Sequence, residues 1–305
     1  MKHMNRVTLE AHAKINLSLD ITGKREDGYH EVRMIMQELS LHDDIMVSKR
    51  PDGRVKISGE LEGVKGNLSF DDSNLCVKAA KKMKEKYAIE DGFDIFLRKR
   101  IPIAAGLAGG STDAAAVLKA VRELENMEPY KDPNENEHKV ISDEELSALG
   151  AELGADIPYC LMGGTALAEG IGEKLTPLKP FPHYPIILVK PNFDISTRTV
   201  YEKYDALEEI RHPDTDKLIN LLDEKNYDCF FISTKNVLED VTAKKHYDIV
   251  EIEDLMYDKD ALLSMMSGSG PTVFSIFEDD DIAARAYNAV KEKFSDRAEI
   301  IFDYI

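Results

Sequence analysis

The stretch 102–116, P-I-A-A-G-L-A-G-G-S-T-D-A-A-A, constrains this chain more than any other. Gly106, Gly109 and Gly110 let the backbone adopt conformations that a Cβ forbids and let a ligand approach it closely. Ser111, Thr112 and Asp113 are favourable N-cap types, and 114–124 (A-A-A-V-L-K-A-V-R-E-L) has the composition and period of a strong helix. Residues 94–97 read as a strand, followed by the cations Arg98, Lys99 and Arg100. A strand, a glycine loop and a helix start in this order bring free N–H groups and the positive end of a helix dipole to one spot, which suits a phosphate. Taken alone, the same residues also read as a plain turn before a helix. Two other phosphate loops are excluded. No Gly-Lys-Ser/Thr opens the helix, as a Walker A loop requires. The spacing of Gly106 and Gly109, with Ala108 between them, breaks the G-x-G-x-x-G pattern.

A formal net charge of −18 over 305 residues argues against non-specific binding to nucleic acid or to an anionic membrane. It also gives the basic run 98–100 extra weight if the ligand is a polyphosphate. Hydrophobic residues at 43% and charged residues at 31% fit a soluble globular enzyme, and the length predicts two domains. Cys76, Cys160 and Cys229 have neither disulfide nor metal-ligand spacing and suit a reducing cytoplasm. No apolar run reaches membrane-spanning length, and the first ten residues lack a secretory apolar core.

Along the chain, residues 7–21 alternate. Ile15, Leu17, Leu19 and Ile21 are apolar, with Lys14, Asn16, Ser18 and Asp20 between them. Period two predicts a half-buried strand with Lys14 and Asn16 on its polar face, roughly 6–7 Å apart. Pattern alone leaves Lys14 open between a solvated lysine and a site residue. Residues 23–30 form a turn around Asp27-Gly28, and Tyr29 and His30 follow, a pair able to stack on and hydrogen-bond a flat heterocycle. Strands are expected at 32–40, 44–48 and 55–58, and a helix at 74–87. The polar, acidic stretch 128–143, broken by Pro129 and Pro133, reads as mobile or inserted. A helix resumes at 144–153. Pro158 disfavours helix at Ile157 and places Asp156 at a boundary or in a turn, where a carboxylate can be aimed at a site or bond its own backbone. Further expectations are a strand and glycine turn after Gly163-Gly164, a buried strand at 185–190, and helices at 195–204, 214–226, 235–241 and 282–294. A second glycine loop, Ser267-Gly268-Ser269-Gly270, feeds a strand, and the chain ends in a strand at 298–304. Strands and helices in both halves indicate an α+β or α/β architecture.

Together these segments resemble the GHMP small-molecule kinases. The 102–115 core is similar to that family's ATP loop. Ala13-Lys14-Ile15-Asn16-Leu17, Asp27-Gly28-Tyr29-His30, Gly154-Ala155-Asp156-Ile157-Pro158, A-E-G-I-G-E and Ser267-Gly268-Ser269-Gly270-Pro271-Thr272 follow in the family's order over nearly the whole chain. The resemblance implies an α+β two-domain GHMP kinase fold. Its N-terminal ATP-binding domain, similar to ribosomal protein S5, would cover 1–170. A ferredoxin-like C-terminal domain would cover 171–305, with the active site in the cleft between them. It implies ATP and Mg²⁺ as cofactors, with the metal ligand unknown. It also implies a small-molecule acceptor, a cytidine diphosphate-linked methylerythritol used in isoprenoid precursor synthesis, and a cytoplasmic monomer or homodimer. By position it implies Lys14 and Asp156 as the catalytic pair. Lys99, Pro102, Ala105, Gly106, Leu107, Ala108, Gly109, Gly110, Ser111 and Thr112 would lie around ATP. Asn16, Tyr29, His30, Tyr201, Gly268 and Ser269 would lie around the acceptor. Ala108 stands where glycine is frequent, and Thr112 where serine is frequent. A mevalonate- or homoserine-type acceptor is the competing reading, though neither needs an aromatic-plus-histidine pocket. A non-catalytic GHMP-like binding protein is the third.

Overall fold

The alternation at 7–21 does form a strand, β1 (Arg6–Lys24), but its polar residues are not solvated. In the computed structural model, which describes residues 6–126, 130–131 and 138–305, Lys14, Asn16, Ser18 and Asp20 are as buried as Ile15, Leu17, Leu19 and Ile21. Both faces of this segment are covered, so period two marks chemistry here and not exposure. The strands expected at 32–40 and 44–48 are one, β2 (His30–Arg50). Leu41, His42 and Asp43 contain no glycine or proline to break it.

The chain divides into two compact units. The first comprises residues 1–13, 42–103 and 108–162, and the second 14–41, 104–107 and 163–305. In the first, β3 (Val55–Leu61), α1 (Leu75–Tyr87) and β4 (Gly92–Lys99) form a parallel pair joined by a crossover helix, as parallel strands require. Asn74 caps α1 by accepting from the Cys76 N–H, and Ala88 ends it in the left-handed conformation. Residues 44–50 of β2 run antiparallel to β4, with Asp44 opposite Arg98. Helix α2 (Gly109–Asn126) begins five residues before the expected 114, so Ser111, Thr112 and Asp113 lie inside its first turns and not at its cap. Two-residue strands β5 (Tyr130–Lys131) and β6 (His138–Lys139) pair antiparallel. The rest of the acidic stretch up to residue 137 lies outside the described residues, so its reading as a mobile insertion is not addressed there. A Ser142/Glu145 capping box starts α3 (Asp143–Leu153). Helix α4 (Ile157–Met162) includes Ile157, contrary to expectation. Its proline is its second residue, where the ring clashes with no earlier helical turn. Val77, Met83, Phe93, Leu97, Val117, Val121 and Leu149 are among the residues of this unit's core.

In the second unit, β7 (Thr165–Gly170) pairs antiparallel with residues 32–37 of β2 and with β8 (Lys174–Pro177). The apolar run expected as a buried strand is β9 (Pro185–Pro191), buried throughout. Helices α5 (Thr197–Tyr204), α6 (Thr215–Asp223), α7 (Tyr227–Ser233), α8 (Glu239–Thr242) and α9 (Tyr247–Tyr257) follow. Next come β10 (Leu263–Met266), β11 (Val273–Ile276), α10 (Asp280–Phe294) and β12 (Ala298–Tyr304). The sheet order is β10-β11-β9-β12, all antiparallel, which explains why β9 needs an unbroken apolar sequence. Sequence reading does not anticipate α7 or α9. It also starts α8 four residues early, because 235–237 are extended. The Leu19 N–H donates to the Lys235 carbonyl at 2.9 Å, and the Val237 N–H to the Leu19 carbonyl at 3.0 Å. Pairing with β1 overrides the local helical preference there.

Glu239 and Glu253 meet in the interior of this unit. Glu239 accepts from the Met266 N–H at 2.7 Å, just ahead of the second glycine loop. Burial, reinforced by the Glu239 charge, pushes the Glu253 carboxyl up to about 10. Folded protein therefore holds a proton that the unfolded chain releases near its ordinary value of 4.5. This contribution to stability is complete below that value and is lost as pH rises toward about 10. Glu253→Gln keeps a donor for Glu239 without a titrating group. Its thermal midpoint should decline by several degrees less than the wild type's between pH 6.5 and 9, measured by calorimetry.

Candidate active site

Within the second unit, the polar row of β1 meets both glycine loops. Lys14 is only 5% exposed, and its Nζ donates to Asn16 Oδ1 at 2.8 Å. Asn16 Nδ2 points to Met34 Sδ at 3.3 Å. The backbone N–H of Lys14 donates to the Leu107 carbonyl at 3.2 Å, and Ser267 Oγ donates to the Gly106 carbonyl at 3.2 Å. Gly106 has φ +75°, and a Cβ there would sit 2.6 Å from the Ser267 carbonyl oxygen. The close approach of the two loops thus requires glycine at this position. Asn236 fixes the second loop from behind, its Nδ2 donating to the carbonyls of Met266 at 2.8 Å and Gly268 at 2.7 Å. Lys14, Asn16, Gly106, Leu107, Ser267 and Gly268 thus share one locality, as sequence reading expects. Asn236 was missed, since an asparagine in an expected helix carries no signal. Ala105, also placed around ATP by the resemblance, is buried beside Gly106 in this loop.

Beside it lies a cavity of about 740 Å³ lined by Tyr29, His30, Tyr201, Thr197, Lys24 and Asp205, among others. Tyr29 is 61% exposed and follows the turn in which its N–H donates to Asp27 Oδ1 at 3.1 Å. The rings of His30 and Tyr201 are 4.9 Å apart and tilted by 42°. One edge of His30 is engaged, with Nε2 2.7 Å from Asp205 Oδ1. Lys24 Nζ donates to the other Asp205 oxygen at 2.6 Å. Burial works against the Asp205 charge, but the bonds from Lys24 and His30 hold its carboxyl below the usual range. Thr197 Oγ1 lies 2.9 Å from Ser269 Oγ, so the cavity and the second glycine loop share a hydrogen bond. Tyr29, His30 and Tyr201, expected around the acceptor, line this cavity, and Ser269 is bonded to it through Thr197. Lys24, Asp205 and Thr197 are not among the expected residues, being ordinary surface types until the fold gathers them.

In the first unit, the chain continues from Ala108 into α2. Ala108 itself has φ +56°, a conformation that favours glycine, which is the residue frequent there in the resembling family. Thr112 donates its N–H to the Ala108 carbonyl at 2.9 Å. A Cβ on Gly110 would meet nothing within 4 Å, so the helix start has open space beside it. Among the first-turn residues Ser111 is half-buried and Thr112 buried, and Pro102 is buried just ahead of the loop. Lys99 is not the solvated strand end that its position in a basic run allowed. It is 3% exposed and donates to Asp43 Oδ2 at 2.5 Å and Asp113 Oδ2 at 2.7 Å. Burial opposes its charge, but Asp113 and Asp43 outweigh burial and hold it above the ordinary lysine value. Burial also pushes the Asp113 carboxyl well up, with Asp43 adding to the effect. Asp43 further accepts from the N–H groups of Arg100 and Ile101. This triad ties β4 to α2, and a Cβ on Gly109 would lie 2.8 Å from Lys99 Nζ. Asp156 is half-buried directly before α4, and its carbonyl accepts the Cys160 N–H at 3.0 Å, the position of an N-cap.

Two family descriptions match the chain, "GHMP kinases N terminal domain" over residues 74–164 and "GHMP kinases C terminal" over 206–296. A 4-diphosphocytidyl-2-C-methyl-D-erythritol kinase of Clostridium botulinum (strain Eklund 17B / Type B) is 46% identical over 290 residues, covering 95% of this chain and 98% of its own length. One from Acetivibrio thermocellus is 47% identical over 291 residues, covering 94% and 96%. The crystal structure of a 4-(cytidine 5'-diphospho)-2C-methyl-D-erythritol kinase superposes with a TM-score of 0.75 at 29% identity, covering 98% of each chain. A homoserine kinase from Cytophaga hutchinsonii, at TM-score 0.73 and 18% identity over 99% of this chain and 96% of its own, shares the fold.

The Lys99 triad generates a stability prediction. Lys99→Met removes the buried partner of Asp43 and Asp113 and should cost about 3–5 kcal/mol in urea unfolding. Asp113→Asn should cost clearly less, because burial already favours the neutral form of that side chain. Adding it to Lys99→Met should restore part of the loss. Simple additivity of the two in a double-mutant cycle would contradict this account of the triad.

Proposed function

The chain belongs to the GHMP kinase family, and from that premise we propose that it is an ATP-dependent kinase of 4-diphosphocytidyl-2-C-methyl-D-erythritol, phosphorylating its 2-hydroxyl in the non-mevalonate route to isoprenoid precursors. One observation carries the choice of acceptor: identities of 46% and 47% over at least 94% of the chain with kinases named for it. The cavity lined by Tyr29, His30 and Tyr201, bonded through Thr197 to Ser269, supports it. A flat pyrimidine has two aromatic faces and a polar edge to satisfy, and these residues offer a match for each. Likeness to homoserine kinase at 18% identity is a likeness of fold and does not transfer that acceptor.

In this reading the N-terminal domain spans 1–170 and the C-terminal domain 171–305, and the family matches fall inside these bounds. Residues 105–112 hold the nucleotide phosphates with backbone N–H groups and the start of α2, and Pro102 shapes the entry to that loop. Lys99 contributes by locking the start of α2 to β4. Lys14 and Asp156 are the catalytic pair. Phosphoryl transfer through a loose transition state asks a protein mainly for positioning and charge compensation. Asp156 orients the acceptor hydroxyl or accepts its proton. Lys14 is a desolvated ammonium, so its field on an oxygen gaining charge is little screened. Asn16 fixes Lys14 Nζ and borders the acceptor with Gly268 and Ser269. Bound Mg²⁺ would neutralise phosphate charge. The protein acts in the cytoplasm as a monomer or homodimer, on small molecules and not on nucleic acid or membranes. Among the described residues no helix is long and apolar enough to cross a membrane.

The direct test is ADP release with ATP and Mg²⁺ over a panel of acceptors. Turnover is expected with 4-diphosphocytidyl-2-C-methyl-D-erythritol, and neither mevalonate nor homoserine should support it. Preference for either of those would overturn the acceptor, and ATP binding without turnover on any acceptor would favour a non-catalytic protein. In the same assay Asp156→Asn and Lys14→Met should each lose roughly 10²–10³ in kcat while the circular dichroism spectrum is kept. Near-normal turnover in folded Asp156→Asn would remove the role given to that carboxylate.

A further inference from the structure

Strand β1 carries Glu10 and His12, two residues apart and therefore on one face. Its pairing partner β2 carries His42 and Asp44 in the same relation. Glu10 Oε2 lies 3.4 Å from His12 Nε2, and Glu10 Oε1 lies 3.7 Å from His42 Nε2. One carboxylate thus faces the Nε2 atoms of two imidazoles, whose rings are 5.2 Å apart. The three donor groups all fall within 4.8 Å of one another. All three residues belong to the first compact unit. Neither the loops nor the cavity described above includes any of them.

We propose that Glu10, His12 and His42 form a binding site for a divalent transition ion of the zinc class. With bonds of about 2.0–2.2 Å, neighbouring ligands of a tetrahedral zinc ion are about 3.3–3.6 Å apart. The 3.4 Å from Glu10 Oε2 to His12 Nε2 already falls within that edge, while His42 Nε2, 3.7 Å from the other Glu10 oxygen, needs small turns of the side chains to complete the set. Two imidazoles and one carboxylate select zinc, cobalt, nickel or copper over magnesium or calcium, which take oxygen shells. Three protein ligands leave a position for water. Asp44 Oδ1 stands 3.7 Å from His42 Nε2 and borders the site. Its Oδ2 accepts from Arg100 at 2.9 Å, with Arg98 at 3.5 Å, so Asp44 is held as a fixed wall and is not counted as a ligand. Arg98 and Arg100 are themselves paired with Glu60 and Glu62, which limits their repulsion of a cation. The ligands sit on paired strands and not on loops, so binding costs little ordering. The ion would clip β1 to β2 and stabilise the folded chain in proportion to its occupancy.

Chelator-stripped full-length protein would be titrated with Co²⁺, read by visible absorption, and with Zn²⁺, read by calorimetry, at pH 7.5. One equivalent is expected to bind with a Kd on the order of micromolar or tighter, with the d–d absorption of a low-coordinate Co²⁺ site. His12→Gln and His42→Gln should each weaken binding by at least about tenfold, and Glu10→Gln by less. Magnesium at millimolar concentration should not displace the ion, and Mg²⁺-dependent turnover should be unchanged in all three variants. Equal affinity in the wild type and both histidine variants would place the ion elsewhere and overturn the site. So would the absence of saturable binding below about 1 mM.

Discussion

A strand that buries an alternating polar row must give every one of those side chains a partner. In β1 the row is Lys14, Asn16, Ser18 and Asp20, and satisfying it organises much of the second unit. Lys14 bonds Asn16, Ser18 bonds the Lys235 carbonyl at 3.2 Å, and Asp20 accepts from Ile21 N–H at 2.8 Å while facing His212 Nδ1 at 2.7 Å. Backbone pairing of Leu19 with 235–237 completes the cover on this side. The same segment then supplies Asn236, which sets the second glycine loop. Lys14 is thereby held buried and hydrogen-bonded beside both glycine loops.

The first unit solves a related problem differently. Lys99 lies in the sheet and Asp113 in the helix that follows the glycine stretch, with Asp43 reaching both the lysine and two backbone N–H groups. A buried charge cluster of this kind is poor as a source of stability and good at fixing register. Its consequence here is positional. It ties the start of α2 to β4, while a Cβ on Gly110 would meet nothing within 4 Å. Lys99, inside the basic run that precedes the loop, thus serves the scaffold.

The cavity of the second unit, proposed above to take the acceptor, is built from mutually held side chains. His30 can present only its remaining edge, because Asp205 takes the other, and Asp205 is itself held by Lys24. A histidine held on one side has a defined ring plane, and the tilted contact with Tyr201 limits it further. The bond between Thr197 and Ser269 couples this cavity to the loop that touches Gly106.

Much of this was legible in the sequence wherever the signal is local. The glycines in the turns at Gly28, Gly106, Gly268 and Gly270 and the apolar run of β9 follow from backbone sterics and burial over a few residues. The order of the motifs was enough to mark the family. What sequence alone could not decide was partnership across long separations. Alternation in β1 could not tell a solvated face from a buried polar row, since both have period two. A lysine between two arginines could not reveal that Asp43 and Asp113 surround it. The segment 235–238 has helical residues but pairs with Leu19. In each case the deciding energy comes from desolvation and from hydrogen bonds between residues distant along the chain. Such terms exist only once tertiary structure has brought the partners together.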